Sequence, residues 1–448
     1  MNKATILVIF GATGDLMAKK ITPALYSLFK EKQLPQKFKV IGFARRDFAG
    51  DKFYELLKQN LVKYLNIKET EIDQDFYDLF TYHQGQLDDQ DAYRSLNEKL
   101  IKIDKDFNIE SNKFFYFSVA PEFYEVISTN LSKQKLKIKN ISLIIEKPFG
   151  KSEKTALELD NVLKKNFSEE QIFRIDHYLG KQMINKIPIN FNNDQLTAKY
   201  KLKGNIKLIK NIEITTLEEL GVEARGDFYD PLGALRDVGQ NHLLEIISLI
   251  FIAINGDENN PIERDKILQK LRKYNNDEVK IYAFRAQYKG YKNIENIKKD
   301  SVTETYFKII ALLDLNDKES ITTMLQAGKR IGVNRSEIRI NLINGDTLVY
   351  DFKQLEELNI ISEGKIIKNI KFQKDSHLQY VGEYAELLKQ AINYQKENFV
   401  SINEVISAWK FIDPIENAWQ SNEKTLKFYA PDNPIIIKNA DEALNLLF

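Results

Sequence analysis

From Ala4 to Phe10 the chain is an unbroken run, Ala-Thr-Ile-Leu-Val-Ile-Phe, that ends on Gly11-Ala12-Thr13-Gly14-Asp15-Leu16. A strand with no polar alternation has no solvated face, so it belongs inside a parallel sheet covered on both sides. Leu25, Leu28 and Phe29 then recur at helical spacing, which predicts a helix from about Leu16 to Lys32. A glycine turn between such a strand and helix offers backbone N–H groups and the positive helix end to a pyrophosphate. Gly11, Thr13, Gly14, Asp15 and Leu16 are therefore candidate cofactor contacts. Met17 occupies the place of the third glycine of the usual fingerprint, so the turn alone is equally compatible with an ordinary strand-to-helix connection.

The next strand favours the cofactor turn. Phe38 to Phe43 is apolar and delivers Ala44-Arg45-Arg46 where such folds meet the adenine ribose. An acidic residue there accepts the ribose hydroxyls of NAD, whereas arginine accommodates a 2′-phosphate, so Arg45 and Arg46 predict NADP, with NAD kept as an alternative acceptor. Further strands are expected at Tyr82 to Leu87, Lys113 to Val119 and Ile141 to Ile145, with helices at Ala92 to Ile103 and Pro121 to Leu131. Ligands of a parallel sheet lie beyond the carboxyl ends of its strands. This places the turn Glu146-Lys147-Pro148-Phe149-Gly150 near the cofactor, with Lys147 able to reach cofactor and substrate; Gln86 is a further candidate cofactor contact.

After Lys181 the pattern changes to alternation at Ile206 to Thr216, Thr303 to Leu313, Ile338 to Leu342, Thr347 to Phe352 and Ile366 to Phe372. Helices are expected at about Gly233 to Ile252, Tyr380 to Gln395 and Ile402 to Ala418. The fold class that follows is a Rossmann-like α/β domain over residues 1–178, then an α+β domain with a large, mainly antiparallel sheet over 179–448. With 65 basic against 64 acidic side chains, no global field attracts nucleic acid or an anionic membrane. The apolar runs are shorter than a bilayer span, the longest being Leu243 to Ile254 with Glu245 inside it. No cysteine occurs, which removes disulfides and thiolate metal sites and fits a reducing, cytoplasmic setting.

Chemistry concentrates in Arg174-Ile175-Asp176-His177-Tyr178-Leu179-Gly180-Lys181, in a chain with four histidines. A second stretch, Arg236-Asp237-Val238-Gly239-Gln240-Asn241-His242, carries another imidazole. A carboxylate that fixes a histidine tautomer makes imidazole a competent base near neutral pH. Asp176 is the acid expected to orient His242. Lys20, Lys147, Lys181 and Lys329 offer a cationic lining, and Glu218 and Asp237 can accept hydrogen bonds from hydroxyls. No metal constellation emerges, and none is expected.

Taken in order, these segments resemble the glucose-6-phosphate dehydrogenases, the NADP-linked first enzymes of the oxidative pentose phosphate pathway. The resemblance runs from the Gly11 to Leu16 loop and Gly42-Phe43-Ala44-Arg45 through Glu146 to Gly150 and Arg174 to Lys181. It continues through Gly221 to Arg225, Gly233 to Leu244, Arg285 to Tyr288, Ser301 to Thr305, Gly328-Lys329 and Ala408 to Pro414. It implies that His242 is the general base for the C1 hydroxyl of glucose 6-phosphate and that Asp176 holds its imidazole. It further implies that His177, Tyr178 and Lys181 bind the substrate phosphate, that Lys147, Glu218, Asp237 and Lys329 contact the sugar or its phosphate, and that Lys20 is a further pocket lysine. A homodimer or homotetramer is implied by the same likeness. The chain departs from the pattern at Met17, Gln86, Gln182 and Gln326 and in the ending Ala430 to Pro434. Another sugar-oxidising NADP enzyme, or a catalytically silent regulatory relative, stand as the alternatives.

Overall fold

The computed structural model describes residues 3–48, 51–134, 140–185, 187, 200, 202–255, 263–316, 318–353, 356–371 and 379–445. Two compact units result: Met1–Gly150 with Lys154–Lys181 and Asp375–Ile402, and Lys151–Glu153 with Gln182–Lys374 and Asn403–Phe448. Residues 190–199, and the expected strand end at Phe372, lie outside the described residues.

The first unit is built on six strands, β1 (Thr5–Phe10), β2 (Phe38–Ala44), β3 (Phe80–Gln84), β4 (Asn112–Phe117), β5 (Ile141–Glu146) and β6 (Ile172–Ile175), in the order β3-β2-β1-β4-β5-β6. All pairs are parallel. Every residue of β1 is buried, and alternation explains how. Leu7 and Ile9 join a core with the helices Thr22–Lys30, Lys52–Leu65 and Gln379–Ile392, while Ile6, Val8 and Phe10 join one with Gln90–Phe107 and Tyr124–Ser132. The helix Gln379–Ile392 was expected within 179–448. Its Leu387 and Leu388 are instead fully buried in the first core, where each contributes roughly 1.5–3 kcal/mol.

Two details depart from the sequence expectation. The expected strand from Tyr82 to Leu87 is Phe80–Gln84. The Gly85 N–H still bonds the Ala44 carbonyl at 3.1 Å before the chain turns at Leu87 and Asp88, and a Cβ at Gly85 would meet Ala92 at 2.6 Å. The expected helix from Leu16 begins as a π-wound turn, Met17–Ile21, before Thr22–Lys30.

The second unit carries nine strands: β7 (Ile209–Leu217), β8 (Ala283–Tyr288), β9 (Tyr306–Asp314), β10 (Ser320–Gly328), β11 (Arg335–Leu342), β12 (Thr347–Asp351), β13 (Glu357–Ser362), β14 (Lys365–Lys371) and β15 (Leu426–Tyr429). Their order is β14-β13-β12-β11-β7-β10-β9-β8-β15. The sheet is mostly antiparallel, with parallel pairs at β7/β10 and β8/β15. A continuous helix, π-wound over Leu235–Leu243 and α-helical over Leu244–Asn255, lies in the chain between β7 and β8. By length and composition it could span a bilayer, yet 83% of its most apolar window is buried inside the protein.

β6 is the least sequence-like strand, because it carries Arg174 at 2% exposure. The guanidinium is neutralised in place: Nη2 meets Asp160 at 2.7 Å and Nη1 meets Glu169 at 2.7 Å. Removing one partner of a buried pair leaves the other charge uncompensated and costs about 3–5 kcal/mol. Arg174→Met is expected to destabilise the protein by that amount, seen as a lower urea midpoint. Adding Asp160→Asn should recover part of the loss, whereas an unchanged midpoint in the single variant would contradict this account.

Candidate active site

In the first unit, the carboxyl ends of β1 to β4 surround a cleft of about 650 Å³. Gly11, Thr13, Gly14, Arg45, Arg46 and Gln86 line it, with Ala44, Gly85, Leu87, Ser118 and Val119 beside them. Gly11 has φ of 81°, and a Cβ there would overlap the Ser118 carbonyl oxygen. Only glycine lets β1 turn this sharply and leave bare backbone facing the cleft. Tyr82 fixes the β2 end by donating to the carbonyls of Ala44 at 3.1 Å and Arg46 at 2.5 Å, which leaves both arginine side chains exposed. Asp15 and Leu16 are not among the lining residues. Asp15 points to solvent and pairs with Lys19 at 2.5 Å, while Leu16 packs against the core. A mostly apolar slot with a glycine turn at one end and two arginines at the other fits an extended dinucleotide.

The ends of β5 and β6 supply the remaining polar groups of this unit. Asp176 is 1% exposed and caps the short 3₁₀ turn His177–Gly180, accepting the Tyr178 N–H at 2.9 Å. Tyr178 in turn lies under Lys181, whose Nζ is 4.6 Å from the ring centre, and His177 packs edge-on to Tyr178. Lys181 also pairs with buried Glu383 at 3.4 Å. Burial lowers the pKa of Lys20, Glu383 opposes that shift, and nearby Lys181 adds to it. Lys20 and Lys181 thus form one cationic cluster at Glu383, with the Tyr178 ring beneath Lys181. Glu383 went unnoticed in the sequence because nothing local links it to residues two hundred positions away. Gly180 permits this approach, since a Cβ there would meet the Glu383 carbonyl oxygen at 2.5 Å.

Lys147 follows a half-buried acid, Glu146. The Glu146 carboxyl receives hydrogen bonds from Tyr116 and, at 3.5 Å, from Tyr384, and the Lys147–Pro148 peptide is cis. Burial pushes the Glu146 carboxyl up to about 7, with the two tyrosines and Lys147 opposing the shift and Asp176 adding to it.

The second unit delivers its groups by a different device. Glu218 and Lys329 follow directly on the ends of the parallel pair β7 and β10, so they emerge side by side and meet at 2.8 Å. Lys329 also stands 5.5 Å above the buried Tyr229 ring. Gln326 is satisfied within the sheet, donating to Thr215 at 2.8 Å and accepting from Tyr306 at 3.1 Å. Asp237 and His242 lie on the π-wound turn, with His242 at 2% exposure.

Comparison with known proteins bears on this arrangement. Residues 8–186 match the family described as "Glucose-6-phosphate dehydrogenase, NAD binding domain", and residues 188–363 match "Glucose-6-phosphate dehydrogenase, C-terminal domain". The glucose-6-phosphate 1-dehydrogenase of Helicobacter pylori is 32% identical over 95% of this chain and 96% of its own length. The chain belongs to the glucose-6-phosphate dehydrogenase family. The enzyme of the same name from Chlamydia pneumoniae is 31% identical over 93% of this chain and 90% of its own. A solved glucose-6-phosphate dehydrogenase in complex with its substrate glucose 6-phosphate superposes with a TM-score of 0.83 at 25% identity, covering 99% of this chain and 98% of that one. Levoglucosan dehydrogenase, with a TM-score of 0.53 at 10% identity over 94% of this chain and 98% of its own, shares the fold alone. Within the family, the first unit is the nicotinamide dinucleotide-binding part.

The Glu146 environment generates a pH prediction. In the folded protein this carboxyl keeps its proton until about pH 7, while the unfolded chain loses it from about 4.5, so the group's contribution to stability declines as pH rises through that window. Glu146→Gln holds the neutral form permanently. Melting curves from pH 4.5 to 8 should therefore show a smaller decline for the variant than for the parent, and parallel curves would refute the buried acid.

Proposed function

We propose that this protein oxidises glucose 6-phosphate at C1 to 6-phosphogluconolactone with NADP as acceptor. Membership of the family over nearly the whole chain carries the reading, and the residues of both units supply its parts. When bound, the nicotinamide supplies the hydride acceptor. His242 takes the proton of the C1 hydroxyl, and as the O–H bond breaks the carbon–oxygen bond gains double-bond character and C1 loses its hydride. Asp176 holds the imidazole in the acceptor tautomer and stabilises the imidazolium. His177, Tyr178 and Lys181 hold the phosphate, and Lys20 raises the positive potential around it. Lys147, Glu218, Asp237 and Lys329 orient the sugar, which converts an encounter into a positioned reaction. No metal takes part in this scheme. Arg45 and Arg46 read the 2′-phosphate, Gly11, Thr13 and Gly14 accommodate the pyrophosphate, and Gln86 borders the adenosine.

A cytoplasmic homodimer or homotetramer belongs to the same proposal. Ile366 and Ile367 on the edge strand β14 are 60% and 53% exposed, as an edge covered by another copy requires.

Two measurements test the reading. His242→Asn is expected to abolish NADPH formation from glucose 6-phosphate while leaving substrate binding by calorimetry within about threefold, since uniform binding does not depend on the base. An active variant would remove His242 from its role. Arg45→Ala is expected to raise the KM for NADP about tenfold or more, with little change for NAD, because a charge-assisted contact to the phosphate is lost. Equal losses for both cofactors would show that Arg45 does not read the phosphate.

A further inference from the structure

The helix that carries Asp237 and His242 is gripped by a segment to which no role in the reaction has been given. Glu304, 4% exposed, accepts the Leu235 N–H at 2.9 Å, and its carbonyl accepts the Ala234 N–H at 3.1 Å. The preceding Gly233 has φ of 74°, and a Cβ there would overlap the Glu304 carboxylate. Three residues further along, Phe307 presses on the helix at Gly239, where a Cβ would stand 2.9 Å from the ring. The first helical turn is therefore fixed along the axis by Glu304 and in depth by Phe307.

A second contact carries that constraint to the imidazole. The Asn241 side-chain amide donates to the Arg236 carbonyl at 3.1 Å, and its oxygen accepts the N–H of His242 at 2.7 Å. Arg236 is itself held by Glu416 at 3.1 Å. The wide π-winding of Leu235–Leu243 leaves backbone groups out of α-helical register, and Asn241 engages them. Such bulges recur at functional sites.

We infer that Glu304 and Asn241 are positioning residues that set the backbone of His242, Glu304 by anchoring the helix start and Asn241 by tying the Arg236 carbonyl to the His242 N–H. The inference rests on His242 being the base. Neither residue is required to touch substrate.

Glu304→Gln keeps the shape and an acceptor but removes the charge, and Asn241→Asp keeps the shape but removes the donor to Arg236. A displacement of about 1 Å at a reacting group lowers turnover on the order of a hundredfold. Each variant is expected to lose about 10- to 100-fold in kcat, with the KM for glucose 6-phosphate within about threefold of the parent. The pH midpoint of the acidic limb in kcat/KM, where the base becomes protonated, should also shift, a readout that a merely structural cap would not move. In a His242→Asn background, whatever residual turnover exists should fall no further, because residues acting through one group are not additive. Should either variant retain parental kcat in the parental background, its positioning role is overturned, and a further loss in the His242→Asn background would show that it acts by another route. Parental activity of His242→Asn itself would instead strike at the base assignment, which keeps the two failures separate. Melting curves and cofactor titration check each variant's fold, and if Glu304→Gln does not fold, Asn241→Asp and Gly239→Ala at the helix–Phe307 contact decide the question by the same kcat-against-KM comparison.

Discussion

Parallel strands cannot be joined by tight turns, and much of the first unit's chemistry follows from that restriction. Each connection must return across a face of the sheet, so all six strands end along one edge. β1 ends at Gly11, β2 at Arg45, β3 one turn before Gln86, β4 at Ser118, β5 at Lys147 and β6 at Asp176. Residues scattered from Gly11 to Asp176 thereby share one rim. In the second unit one of two parallel pairs in a mostly antiparallel sheet, β7 with β10, sets Glu218 beside Lys329.

Buried charge is tolerated in both units because partners are supplied locally. Arg174 is matched by Asp160 and Glu169. Around the His242 helix, Glu304 and Glu416 are balanced by Arg236 and Arg285, and burial still raises both carboxyls, with Glu304 adding to the rise at Glu416. Taking charges out of water is repaid only where geometry is good and hydrogen bonds are complete. The positions where these groups sit are consequently the least tolerant of change in shape, as Gly233 and Gly180 illustrate.

Much of this was legible beforehand, and the exceptions have physical causes. β1, β2, β4 and β5 announce themselves because both faces are buried and each carries an apolar run of at least three residues. β6 does not, since four residues with an arginine in the middle have no strand pattern until Asp160 and Glu169 are seen beside it. β8, β10, β13 and β15 were missed too, and in β8 and β10 the cause is related: Arg285, Gln287 and Gln326 look solvated in sequence yet are buried and hydrogen-bonded to Trp419, Thr303 and Tyr306. Gly11, Arg45 and Gln86 could be placed from their offsets to strand ends. Asp15 was expected with them, but the short turn aims its side chain outward to Lys19. Glu383 and Glu304 could not be found that way, because their roles depend on contacts between distant segments that periodicity does not encode.

The helix Gln379–Ile392 completes the core of a unit whose other elements were made long before it. A ribosome emitting this chain releases all six parallel strands, and then most of the second sheet, before that helix emerges. Until then the apolar surface formed by Leu25, Leu28 and Leu57 with Phe114 and Phe173 lacks its final cover. Nascent chains of this protein are thus exposed to aggregation through nearly the whole of synthesis, the interval in which domains that close early are already safe.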